Sequence, residues 1–151
     1  MSNSVIRACL DLAASVTTMV IGLGNADRSD DGAGLVIAEK LKARFPERAF
    51  SESEKSVEGL VFDVIENPAF DCVLFIDAVN FGESPGTVRL FTAEDIEKFQ
   101  PDVSTHKVPM SMLMDLLVQN NKKPFLLGIQ PGSVKLMGEM SETVKKVISQ
   151  F

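Results

Sequence analysis

The chain has 151 residues, with 21 acids against 15 bases and a formal net charge of -6. That length fits a single domain, 1–151, large enough to hold a core without disulfide staples. Acidity of this kind repels phosphate backbones and anionic lipid, which excludes nucleic acid and membrane as natural partners.

In chain order, Ile6, Leu10 and Ala13 at helical spacing predict a leading helix over 4–15. Thr17 to Ile21 is a β-branched run that reads as the first strand and ends at Gly22. From Asp31 the segment DGAGLVIAEKLKAR reads as a helix with Leu35, Ala38 and Leu41 inward, stopped by Pro46. A weak strand over 49–53 precedes a helix over 57–66. Cys72 to Ile76 is a continuous apolar run, as expected of a strand covered on both faces. Pro85 and Gly86 introduce a strand to Phe91, and Thr92 caps a short helix at 93–99. Pro109 suits the first turn of a helix reaching about Asn120. Pro124 to Ile129 forms the last buried strand, and Ser141 starts a C-terminal helix with Val144, Val147 and Ile148 on one side. Strands alternating with helices predict a three-layer α/β/α sandwich around a twisted, mostly parallel sheet.

Two cysteines, Cys9 and Cys72, are too few for a disulfide framework and read as reduced thiols of a cytoplasmic protein. Asp11 interrupts the apolar stretch near the N-terminus, which argues against a signal peptide, and no run reaches membrane-spanning length. The one histidine forbids every zinc motif built on a His pair, so a metal here would be held largely by carboxylates. Met110, Met112, Met114 and Met137 read as adaptable core packing. No G-x-S-x-G is present, which counts against a serine hydrolase of the common α/β type.

Gly22-Leu23-Gly24-Asn25 follows the first strand, where a dinucleotide fingerprint would sit. The fingerprint's third glycine position is Asp27, and Asp27, Asp30 and Asp31 place negative charge where a pyrophosphate would bind. The segment reads instead as a tight turn, and no cofactor-binding motif is assigned.

Ligands of open α/β sheets gather beyond the carboxyl ends of the strands. Asp31 falls after the first strand, Asp77 closes the Cys72–Ile76 run, and His106 lies in the polar loop Ser104-Thr105-His106. Only a shared sheet edge could unite residues so far apart in sequence. Two carboxylates and an imidazole would form a half-open site for a divalent first-row ion. Each has a plainer alternative. Asp30 and Asp31 could cap a helix, Asp77 could close a turn, and a lone loop histidine is commonly structural.

The motifs taken together resemble the hydrogenase maturation peptidases. They are Gly22-Leu23-Gly24-Asn25, Asp30-Asp31-Gly32-Ala33-Gly34, Ile76-Asp77-Ala78, Pro85-Gly86-Thr87, Ser104-Thr105-His106 and Gly128-Ile129-Gln130-Pro131, in that order. The wording is similar to the branch serving the formate-hydrogenlyase hydrogenase. The resemblance implies an α/β sandwich and an endopeptidase, aspartyl-type or metal-dependent. Such an enzyme removes the C-terminal extension of a nickel–iron hydrogenase large-subunit precursor once nickel is loaded. It implies Asp31, Asp77 and His106 as metal contacts, with Asp31 and Asp77 catalytic. The nickel is carried by the substrate, and the isolated protein, expected to be a monomer, is empty or holds an adventitious divalent ion. Where the family often has a glycine cluster after its second strand, this chain reads Ser53-Glu54-Lys55-Ser56-Val57-Glu58-Gly59. The helix at 4–15 lies outside the common core. Two further readings stay open on the sequence: a non-catalytic, metal-recognising assembly factor, and a small-molecule-binding α/β protein.

Overall fold

A computed structural model describes residues 2–99, 102–103 and 108–151. His106, with its neighbours Ser104 and Thr105, lies outside the described residues. Among the described residues the helices are α1 (Ser2–Ala14), α2 (Ala33–Arg44), α3 (Val57–Glu66), α4 (Ala93–Phe99), α5 (Met110–Gln119) and α6 (Glu142–Ile148). The strands are β1 (Thr18–Gly22), β2 (Ala49–Ser51), β3 (Cys72–Asn80), β4 (Val88–Thr92), β5 (Asp102–Val103) and β6 (Lys123–Ile129). The sheet runs β2-β1-β3-β6-β4, and the short β5 pairs with β3 off that path. Contacts of β1 with β2, β1 with β3 and β3 with β6 are parallel, whereas β4 and β5 run antiparallel to their neighbours. The mostly parallel sandwich is therefore the observed fold, with antiparallel pairing confined to β4 and β5.

Alternation along β3 divides the core in two. Val73, Phe75 and Val79 pack with α3 and α5, through residues such as Leu60, Val64, Leu113 and Leu117. Leu74 and Ile76 point the other way, toward Cys9 and Ala13 of α1, Ile37 and Leu41 of α2, and Val144 of α6. Period-two side chains on a strand covered by helices on both sides produce the unbroken apolar run seen in the sequence. Each such Leu, Ile or Phe gains about 1.5–3 kcal/mol on burial.

Local chemistry fixes the helix ends. Ser56 accepts from the Gly59 amide at 3.1 Å and starts α3. Thr92 and Asp95 bond each other's amides reciprocally, at 2.9 and 3.1 Å, a capping box for α4. Pro109 is the residue before α5 rather than its first turn. Two expectations about packing shift. Ile37 rather than Leu35 joins Ala38 and Leu41 on the buried face of α2. Of the methionines, Met110 and Met114 are core, but Met112 and Met137 are exposed at 60% and 79%. No helix among the described residues is long and apolar enough to cross a membrane.

Candidate active site

The carboxyl edge of the parallel strands is assembled around β3. This strand does not close at Asp77 but continues to Asn80, because β6 pairs with it as far as Ala78–Ile129 and β5 pairs at Val79 and Asn80. The ladder to β1 stops earlier, at Gly22–Ile76. Asp77 is thus the first residue of β3 beyond the end of β1, and it is fully buried.

Asp31 does not open α2 directly. It lies in a 3₁₀ turn, Ser29–Gly32, that precedes the helix, and it is 5% exposed. Two glycines bring this turn to Asp77. A Cβ on Gly34 would stand 2.2 Å from the Ile76 carbonyl and 2.3 Å from that of Leu23, so only glycine lets the start of α2 press onto β3. Gly24 has φ +138, and a Cβ there would meet the Asp31 carbonyl oxygen at 1.9 Å and Asp77 Oδ1 at 3.7 Å. The space a Gly24 side chain would need is therefore taken by the Asp31 main chain and bordered by the Asp77 carboxylate. The Asn25 amide donates to the Asp31 carbonyl at 3.0 Å and completes the joint.

Asp30 points elsewhere. Its carboxylate accepts from the amides of Gly132 (2.7 Å), Ser133 (3.0 Å) and Ser141 (2.7 Å) and from the Ser141 hydroxyl. Burial pushes this carboxyl up, but the bonds from Ser141, Ser133 and Gly132 outweigh it and hold the group below the usual carboxylate range. Asp30 is therefore a clamp on the loop after β6, not a cap of its own turn. Gln130 does similar work on the β3–β4 connection. Its side-chain carbonyl accepts from the Phe81 and Glu83 amides at 2.8 and 3.2 Å, and its amide donates to Asn80 Oδ1 at 3.2 Å.

A fourth acid reaches this edge without having been singled out in the sequence. Glu52, just past β2, accepts from the Gly24 amide at 2.7 Å, and its own amide donates to the Gly22 carbonyl at 3.0 Å. The criterion that selects Asp31, an acid following a strand at the carboxyl edge, selects Glu52 as well once β2 ends at Ser51 rather than Ser53.

Of the predicted site residues, the main chain of Asp31 and the carboxylate of Asp77 both border Gly24, and His106 is outside the described residues. Among the described residues no three His, Cys, Asp or Glu side chains form a metal-holding group. Neither thiol is a nucleophile candidate: burial pushes Cys9 up to about 12 and also raises Cys72.

Residues 36–151 match the family model of the hydrogenase maturation proteases. This chain belongs to that family. It is 30% identical over 144 residues to the hydrogenase 3 maturation protease of Escherichia coli, covering 88% of this chain and 85% of that one. The solved structure of a NiFe hydrogenase maturation protease, HycI, from Thermococcus kodakarensis superposes with a TM-score of 0.75 at 28% identity, covering 95% and 92% of the two chains. The crystal structure of the hydrogenase 3 maturation protease gives 0.69 at 28% identity, over 91% and 86%. A family of proteases makes the chain a peptidase and disfavours the reading as a non-catalytic assembly factor.

Proposed function

We propose that this hydrogenase maturation protease cuts the C-terminal extension from the nickel-loaded precursor of a nickel–iron hydrogenase large subunit, with Asp31 and Asp77 at the reacting bond. The observation that supports this reading is that two buried acids, Asp77 by its carboxylate and Asp31 by its main chain, border the same glycine, Gly24, at the carboxyl edge of the sheet. Hydrolysis adds one water across the scissile peptide bond. A carboxylate takes a proton from that water as its oxygen attacks the carbonyl carbon, and the proton passes to the departing amine nitrogen.

The nickel arrives with the substrate. Asp31, Asp77 and His106 add contacts that only a loaded precursor can use, so the metal selects the mature cluster by differential binding. Both described acids are shielded from bulk water, where attraction to an incoming cation is stronger than in solvent. Each tenfold preference for the loaded precursor needs about 1.4 kcal/mol. Two buried free thiols support a cytoplasmic setting for this reaction.

The test is gel mobility of the tailed large subunit, with and without nickel, after incubation with wild type or Asp77→Ala. Shortening of the loaded precursor by wild type alone is expected. Equal cutting of the nickel-free precursor overturns the gating, and an active Asp77→Ala overturns the site.

A further inference from the structure

The second strand carries a feature that the peptidase reading leaves unused. Where β2 ends, Glu52 bonds both the last residue of the first strand and the turn that follows it: its amide donates to the Gly22 carbonyl at 3.0 Å, and the Gly24 amide donates to Glu52 Oε1 at 2.7 Å. The second of these bonds spans 28 residues and is charge-assisted, the stronger kind of hydrogen bond. Its target is the residue that borders both the Asp31 main chain and the Asp77 carboxylate. Gly24 adopts a positive φ of +138 that favours glycine, and a Cβ on it would meet the Asp31 carbonyl oxygen at 1.9 Å and Asp77 Oδ1 at 3.7 Å. A glycine in that position is the backbone's most permissive unit, and something outside the turn has to hold it in one conformation.

We propose that Glu52 is a positioning residue of the cleavage site: by anchoring the Gly24 amide, it fixes the strip of backbone that sets Asp31 and Asp77 relative to each other. The proposal rests on the peptidase reading for its kinetic consequences only. Glu52 acts through Gly24, and what matters is its oxygen acceptor at the right reach. Losing that anchor releases Gly24 to other backbone conformations and lets the turn carrying Asp31 drift against β3. Misplacement of about 1 Å in a reacting constellation costs on the order of 100-fold in rate.

Three substitutions separate the bond from the charge. Glu52→Gln keeps an acceptor oxygen at the same reach, Glu52→Asp keeps the charge but shortens the reach by one methylene, and Glu52→Ala removes both. Glu54→Ala is the control for general loosening. In the same turn, Glu54 accepts from the Ser51 amide at 2.9 Å and pairs with Lys42 of α2, and neither bond involves Gly24. With tailed, nickel-loaded precursor, Glu52→Ala and Glu52→Asp are expected to lose kcat by on the order of 10- to 100-fold with KM within about twofold. Glu52→Gln should recover most of that loss, and Glu54→Ala should match wild type.

Amide hydrogen exchange and the chemical shifts of Gly24, Asp31 and Asp77 supply a readout independent of cutting. Faster Gly24 exchange and displaced Asp31 and Asp77 resonances are expected in Glu52→Asp and Glu52→Ala but not in Glu52→Gln. Wild-type exchange and shifts in Glu52→Asp overturn the positioning role, as does a Glu52→Gln as defective as Glu52→Asp. Should wild type leave the precursor uncut, the peptidase reading falls, and the exchange data still decide what Glu52 does.

Discussion

The two edges of the parallel sheet are held by opposite charges. At the amino edge, cations collect carbonyls. Arg48 Nη1 donates to the carbonyls of Ala13, Ser15 and Thr18 at 2.8, 2.7 and 3.0 Å, and Lys122 reaches those of Asn67 and Phe70. At the carboxyl edge, acids collect amides: Asp30 those of Gly132, Ser133 and Ser141, Glu52 that of Gly24. Each edge thus satisfies loop backbone groups that helices and strands leave over. The difference lies in what is added. The carboxyl edge also carries Asp31 and Asp77, two further buried acids that border Gly24 through the main chain of the one and the carboxylate of the other. Buried acids are a cost to folding unless other groups compensate. The amino edge accepts no such cost. Backbone anchoring is shared by the two edges, whereas the candidate chemistry lies at the carboxyl edge alone, where ligands of parallel sheets bind.

The largest expected effect breaks the carboxyl edge at its chemical centre. Asp77→Ala should reduce processing by about a thousandfold or more, within the range for loss of a general acid–base group. Its thermal midpoint should stay near wild type, because the change removes a buried acid rather than apolar packing. A large fall in the midpoint would move Asp77 into the structural class with Asp30.

Asp30→Ala should do the reverse. It leaves the amides of Gly132, Ser133 and Ser141 without their shared acceptor and is expected to cost about 3 kcal/mol of unfolding free energy in urea. The folded pKa of Asp30 is lowered from 3.8. Its stabilisation is therefore present above that unfolded value and lost as pH falls through the lower folded one. The gap in urea midpoint between wild type and Asp30→Asn should be full at neutral pH and should narrow below about pH 4. A gap independent of pH would mean that the clamp does not depend on the ionised carboxylate.

How much of this was legible in the sequence depended on how far each residue's partner lies along the chain. Helix α3 could be read to its bounds, since Ser56 and the spacing of Val57, Leu60, Val61 and Val64 are local signals. Asp77 stood out as an acid adjoining an apolar run. Its place inside β3 was not legible, because the length of that strand is set by pairing with β6 and β5 rather than by its own residues. Asp30 and Asp31 are adjacent and chemically identical in sequence, yet one clamps a loop over 100 residues away and the other is buried with its main chain against Gly24. Only the turn geometry separates them. Glu52 was missed because a weak strand extended to Ser53 would have buried it within the strand's period rather than placing it at the edge.

Arg48→Ala sharpens the comparison from the other side. Three carbonyls lose one charged donor, and the contact of the guanidinium with the Phe45 ring at 4.6 Å is lost as well. Arg48 is only half-buried, and water can replace part of what it gives, so the expected cost is about 2 kcal/mol. The rate of precursor cutting by the folded fraction should not change. A fall in kcat at full folding would show that the amino edge is coupled to the site, contrary to the division drawn here.

The smallest effect expected is none, and it concerns the thiols. Cys72 starts β3 at the amino edge and Cys9 is part of α1, both buried. A thiolate is the reactive form, and burial holds Cys9 up at about 12 and raises Cys72 too, so little thiolate exists near neutral pH. Neither residue belongs to the edge where Asp31 and Asp77 meet. The native enzyme, treated with iodoacetamide near neutral pH and freed of reagent before the precursor is added, should cut at the untreated rate. Removing the reagent first matters, because cysteines of the precursor would otherwise be alkylated. Mass spectrometry of the treated enzyme should show both thiols unmodified until urea exposes them. Loss of activity together with one added carbamidomethyl group would place a cysteine in the chemistry and end the assignment of that chemistry to the acids alone.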